Sequence, residues 1–122
     1  MAFKKIVLRL ARNPGFPDGD AERGYVLNAP LKTDGTLDLE AWRQDREKAT
    51  VVRFDPDPDE RADGWLTHRG SHWFFHYDED REGPDEPTYR LGDHKFAVGE
   101  YLTVTGHEGD PLTYQVTSVT EG

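Results

Sequence analysis

The stretch WLTHRGSHWFFHY, residues 65–77, decides the fold, because a Gly-Ser pair stands between two segments rich in aromatic residues. Gly70 followed by Ser71 suits a type II′ turn, and the flanking segments favour β-strands. A two-residue turn predicts five antiparallel pairs: Arg69–His72, His68–Trp73, Thr67–Phe74, Leu66–Phe75 and Trp65–His76. Paired residues share a face of the sheet. We therefore expect a core face made of Leu66, His68, Trp73, Phe75 and Tyr77.

Three histidines in this stretch, His68, His72 and His76, raise the question of a metal site. Histidine ligands of one zinc ion lie within about 4 Å of one another. A helix would align the three histidines, but Gly70 and the aromatic run oppose a helix. In the hairpin His72 and His76 share a face about 13 Å apart, and His68 takes the core face near the turn. A three-residue loop, 69–71, would instead bring His68 opposite His72. We predict no stoichiometric zinc site and no cofactor.

The rest of the chain is predicted to be mostly strand. Strand patterns occur at 3–12, 24–31, 49–54, 88–91, 95–104 and 112–119. In 95–104, the residues Phe96, Val98, Leu102 and Val104 have even spacing, which is typical of a half-buried strand. One helix is expected at about 38–48, with Asp38 as its N-cap and Trp42 as its anchor in the core. These patterns predict a single domain, 1–122, that is mainly β: an antiparallel β-barrel or sandwich of about seven short strands with one short α-helix.

Charge and composition exclude several classes of function. The net charge of -9 disfavours binding to nucleic acid, which depends on cationic contacts. The chain has no cysteine, no apolar run typical of a signal peptide and no stretch long enough to span a membrane. We therefore expect a cytoplasmic protein without a membrane partner. The sequence leaves its oligomeric state open.

The negative charge is concentrated in one segment, because residues 55–87 contain eleven acids and three arginines, a balance of -8. Loops 55–63 and 78–87 flank the predicted hairpin, so both are expected at the end opposite its turn. This pattern predicts a small binding module for a cationic partner: a basic protein segment, a polyamine or a weakly bound cation. The simpler interpretation is a solvated face. The candidate binding residues are Asp55, Asp57, Asp59, Glu60, Asp78, Glu79, Asp80, Trp65, His72 and His76.

Two other functions are open alternatives. One is a small enzyme that uses loop carboxylates with His72 or His76. The other is a nucleic-acid-binding module in which exposed aromatic residues stack on bases; Trp65, Phe74 and Tyr101 are the candidates, although aromatic residues more often belong to a core.

Residues 94–119 resemble the F-x-V-G-[DE]-x-L segment of PUA-like and ASCH-type β-barrels, through Phe96, Val98, Gly99, Glu100 and Leu102. That resemblance implies a small barrel and contact with RNA, although few basic residues accompany the motif. The whole chain also resembles a group of small bacterial proteins that share the aromatic hairpin followed by a G-D-H-x-F…V-G-E-Y pattern. Here that pattern is formed by Gly92, Asp93, His94, Phe96, Val98, Gly99, Glu100 and Tyr101. The group carries no known activity to transfer.

Overall fold

The computed structural model describes residues 2–69, 72–77, 86–87, 94–105 and 111–121. The strands in the described residues are β1 (Ala2–Leu10), β2 (Asp20–Leu31), β3 (Thr50–Phe54), β4 (Ala62–Arg69), β5 (His72–Tyr77), β6 (Glu86–Pro87), β7 (Tyr101–Thr105) and β8 (Pro111–Glu121). Helix α1 covers Leu39–Gln44, and two 3-10 turns cover Arg46–Lys48 and Pro58–Glu60.

All the strands belong to one antiparallel sheet in the order β6-β5-β4-β3-β2-β1-β8-β7. From β1 to β6 each strand pairs with the next, and β8 returns to pair with β1. This is an up-and-down meander that leaves a seam between its two edge strands, β6 and β7. The sheet curls into a half-barrel, and some Cα atoms of β6 and β7 lie within 8 Å of each other across the seam. The predicted mainly β, antiparallel fold is confirmed, as a curled single sheet.

The hairpin register is confirmed at all five predicted pairs, and Gly64–Tyr77 extends it. The turn residues themselves, Gly70 and Ser71, lie outside the described residues, as does the side chain of Tyr77. Trp73 and Phe75 point into the core, with 7% and 0% exposure. Phe74, on the opposite face, is only 9% exposed, and the Arg69 guanidinium lies 4.9 Å from its ring centroid.

The core fills the inner face of the curled sheet. Tyr25 is at its centre, with ring centroids of Phe75 and Tyr114 at 4.9 Å and 5.1 Å. The inner face is otherwise aliphatic, and its fully buried members are Ile6, Leu8, Leu27, Val51, Leu66, Leu102 and Val104. The concave inner face of the half-barrel is therefore lined by one cluster of packed apolar side chains.

Helix α1 packs at the end of the half-barrel where β4 ends and β5 begins. Asp38 caps it as predicted, because its carboxylate accepts a hydrogen bond from the Ala41 amide at 3.1 Å. Trp42 is 4% exposed, and its indole N–H donates to the Leu66 carbonyl at 2.8 Å. The predicted span of about 38–48 contains helix α1 and the 3-10 turn Arg46–Lys48, and the α-helix itself ends at Gln44. Asp45 leaves the helical conformation, with φ -136° and ψ 41°, and aspartate is a poor residue inside a helix.

The predicted strand 95–104 is also wrong in its first half. Only Tyr101–Thr105 is strand. Gly99 has φ 99°, and the Glu100 amide donates to the Ala97 carbonyl at 3.0 Å, which makes a turn. Val98 therefore points to solvent with 66% exposure, whereas Phe96 is buried at 2%. Residues 88–91, predicted as a strand, lie outside the described residues.

Candidate functional site

We define the acidic end as the end of the barrel that carries loop 11–19, loop 55–61 and the start of β4. Strand directions place these together, since β1 and β3 end there and β2 and β4 begin there. Tyr77, the last residue of β5, pairs with Gly64 at the same end. Asp78, Glu79 and Asp80 follow Tyr77 in the chain but lie outside the described residues, so their predicted approach to loop 55–61 stays a prediction.

Loop 55–61 is held by hydrogen bonds from its own aspartates. The Asp55 carboxylate accepts from the Asp57 amide at 2.9 Å, and the Asp57 carboxylate accepts from the Asp59 amide at 2.9 Å. The Arg61 side chain donates to the Asp55 carbonyl at 2.8 Å. These successive Asx turns fix the backbone of the loop. Arg61 is not among the predicted site residues, because its position six residues after Asp55 gives no recognisable sequence signal.

Arg23, an arginine near the acidic end, is engaged within the fold. Arg23 pairs with Asp20 at 3.1 Å and with Asp55 at 3.9 Å, and its guanidinium lies 5.0 Å from the Phe16 ring centroid. Asp55 is half-buried beside that cation, whereas Asp57 and Asp59 are exposed. Arg23 therefore offsets Asp55, and the charges of Asp57 and Asp59 are directed to solvent. The backbone of Glu60 belongs to the 3-10 turn Pro58–Glu60, and its side chain lies outside the described residues.

The three hairpin histidines are separated by the register. His68 lies on the inner face, and His72 and His76 lie on the outer face in the rows of Arg69 and Trp65. The pairing of His68 with Trp73 rules out the three-residue loop that would have set His68 opposite His72. Within the described part of the chain, no group of three His, Cys, Asp or Glu residues is arranged to hold a metal ion.

His68 lies against two tryptophan rings at the end of the half-barrel that carries helix α1. Its ring lies 4.8 Å from Trp73 and 6.1 Å from Trp42, measured between ring centroids. Burial against these rings lowers the pKa of His68, and the nearby Arg43 and His72 lower the same pKa further. Both causes penalise the imidazolium, so the fold favours the neutral ring.

In the enzyme alternative, one of the two candidate histidines lies too far from the loop carboxylates to act with them. His72 begins β5 beside Arg69, whereas loop 55–61 precedes Ala62 at the other end of β4. The eight residues of β4 separate them by about 25 Å. His72 and the carboxylates of loop 55–61 therefore cannot act on one substrate atom. His76 lies closer to the acidic end, in the row of Trp65.

The aromatic residues considered for base stacking do not form one exposed platform. Trp65 is 45% exposed and Tyr101 is 55% exposed, but Phe74 is buried. Trp65 is on β4 and Tyr101 is on β7, which pairs with β8 alone within the described residues. Trp65 does have an exposed apolar neighbour that sequence reasoning missed, Val52, on the adjacent strand β3.

Comparison of the chain with protein-family models, with curated proteins and with solved structures finds no significant match in any of the three. No helix in the described part of the chain is long and apolar enough to cross a membrane.

Proposed function

We propose that this protein is a small binding module whose acidic end binds a cationic partner, with a lysine- and arginine-rich protein segment as the partner that fits best. The observation that carries the proposal is loop 55–61. Its backbone is fixed by Asx turns, and two of its carboxylates, Asp57 and Asp59, face solvent.

A fixed loop favours binding because less conformational entropy is lost when the partner arrives. Asp57 and Asp59 are two residues apart, with extended backbone at Asp57, so their carboxylates present neighbouring negative charges. A basic segment with charges at similar spacing can contact both. A polyamine or a divalent ion offers the same charge with fewer contacts, so we expect weaker binding from each.

Binding of this kind depends on long-range attraction between exposed charges. It should therefore weaken steeply as salt rises above about 0.15 M, where the Debye length is about 8 Å. The excess of acids in residues 55–87, eleven against three arginines, supplies the attractive field.

The test is isothermal titration of the protein with a decapeptide of alternating lysine and arginine at low salt. Asp57→Asn/Asp59→Asn removes both exposed charges, while the amide oxygen of asparagine can still accept the loop hydrogen bonds. We expect the double variant to bind at least about tenfold more weakly, since tenfold is 1.4 kcal/mol and two charge contacts are lost.

Glu40→Gln/Glu47→Gln is the matched control, because it removes two acids from helix α1 and the following 3-10 turn, near the opposite end of the barrel. Its affinity should stay near that of the parent. Equal weakening by both double variants would show that only the net charge matters, and the acidic end would then not be a binding site.

A further inference from the structure

The outer face of β4 carries a pattern that is separate from the acidic end loops. Its outward residues are Asp63, Trp65, Thr67 and Arg69, an order that follows from the pairing of β4 with β3 and β5. Trp65 is 45% exposed, and Val52, its diagonal neighbour on β3, is 40% exposed. The centre of this face is thus apolar and open to solvent.

Opposite charges stand at the two ends of this apolar centre. Asp63 and Arg69 are both exposed, and neither forms an ion pair with any other described residue. The Arg69 guanidinium is held on the face by the Phe74 ring, 4.9 Å away. The six-residue separation of Asp63 and Arg69 corresponds to about 20 Å along the strand.

We propose that this face is a self-complementary interface through which the chain forms a two-fold symmetric homodimer. A two-fold axis that lies between the two packed faces, perpendicular to the direction of β4 and at the level of Leu66, sets Asp63 opposite Arg69 of the partner subunit, and Arg69 opposite Asp63 of the partner subunit. The same axis sets the two Trp65 residues two strand positions apart, about 7 Å. Aromatic rings attract one another at centroid distances of about 4.5–7 Å.

The geometry of sheet packing allows this arrangement. Sheets that pack face to face lie about 10 Å apart with strands crossing at about 30°. At 10 Å from the axis, that crossing moves each charge sideways by about 5 Å, which the long side chain of arginine can span.

A second copy fits this face better than other occupants. An all-basic segment would pair with Asp63 and be repelled by Arg69, and an all-acidic segment would do the reverse. A partner must present a cation, an apolar centre and an anion in the opposite order, and two-fold symmetry supplies that order from the same residues. The interface does not depend on the proposed binding of a cationic partner by loop 55–61.

The test is sedimentation equilibrium of the full chain from about 5 μM to 1 mM, a range that brackets the weak end of specific association. We expect a monomer–dimer equilibrium in the parent protein. Asp63→Arg and Arg69→Asp each place like charges opposite one another at both ends of the interface. Each should weaken the dimer at least about tenfold, since like-charge contacts across an interface are costly.

The double variant Asp63→Arg/Arg69→Asp restores opposite charges in reversed order, and we expect its dimerisation constant to return to within about threefold of the parent. Asp18→Arg, an exposed acid in loop 11–19, is the matched control and should leave the dimer unchanged. Circular dichroism confirms that each variant is folded.

A parent protein that is monomeric at 1 mM would overturn the proposal. So would single variants that dimerise like the parent, or a folded double variant that stays as weak as the singles.

Discussion

Trp42 connects helix α1 to the sheet, and its replacement tests how the barrel end is closed. The indole is 4% exposed, donates its N–H to the Leu66 carbonyl at 2.8 Å, and lies 5.5 Å from the Trp73 ring centroid in an edge-on contact. Trp42→Phe keeps an aromatic ring but removes the donor. A buried acceptor left without its donor costs about 1–3 kcal/mol, and the lost ring volume adds about 1 kcal/mol.

We therefore expect Trp42→Phe to lower the free energy of unfolding by about 2–4 kcal/mol, and Trp42→Ala by about 3–5 kcal/mol. Urea unfolding followed by circular dichroism measures both. With a denaturant dependence of about 2 kcal/mol per molar, Trp42→Phe moves the midpoint by about 1–2 M.

Trp65→Phe is the matched control, because Trp65 is 45% exposed. At a few micromolar protein it should change the free energy of unfolding by less than about 1 kcal/mol. If Trp42→Phe costs less than about 0.5 kcal/mol, or no more than Trp65→Phe, the hydrogen bond to Leu66 does not anchor the helix.

Three further predictions concern other parts of the fold. Asp38→Ala should lower the free energy of unfolding by about 1 kcal/mol in urea unfolding, because it removes the side-chain cap of α1. The control Asp45→Ala removes no side-chain capping bond and should lower the free energy of unfolding by less. A larger loss in Asp45→Ala than in Asp38→Ala would contradict the capping role of Asp38. Because the folded-state pKa of His68 is lowered from 6.5, the unfolded chain binds more protons below that pH, so the unfolding midpoint should fall as pH decreases through 6.5. His68→Gln should flatten this dependence, and an unchanged slope would assign it to other groups. Zinc titration by calorimetry should detect no one-to-one site with sub-micromolar affinity. If such a site is detected in the parent protein and disappears in the His68→Ala and His72→Ala variants, the two histidines are not separated as the hairpin register requires.

The sequence predicts those parts of the fold in which local chemistry sets the geometry. Gly70-Ser71 and the alternation around it give the hairpin register, which every predicted pair confirms. Asp38 marks the start of α1, and Trp42 is the buried anchor expected from the helical pattern. For the hairpin register and the helix cap, neighbours in sequence supply the decisive contact.

The remaining features depend on contacts between distant parts of the chain. The half-barrel follows from the pairing of β8 with β1, which no local pattern encodes. Val98 fits the alternation of a strand, but the chain turns at this point instead. The Phe96 amide donates to the Gly35 carbonyl at 2.8 Å, and Gly99 has a positive φ. Phe74 lies on the outer face by alternation, yet its ring is buried, with the Arg69 guanidinium 4.9 Å from the ring centroid.

The candidate site was only partly predictable for the same reason. Asp55, Asp57 and Asp59 were identified from charge density alone. Their fixed geometry depends on Asx turns, whereas the pairing of Asp55 with Arg23 depends on the approach of β2 to β3. His72 was grouped with the loop carboxylates in the enzyme alternative, but the length of β4 separates them.

The most direct test of the acidic end is an NMR titration of the isotopically labelled protein with a lysine- and arginine-rich peptide at low salt. We expect the amide signals of residues 55–61 to shift progressively, and the shifts to disappear when salt is raised well above about 0.15 M. Signals from α1, at the other end of the barrel, should stay in place. If amides elsewhere shift while those in 55–63 and 78–87 do not, or if no amide shifts at all, the acidic end is a solvated surface and does not bind a cationic partner.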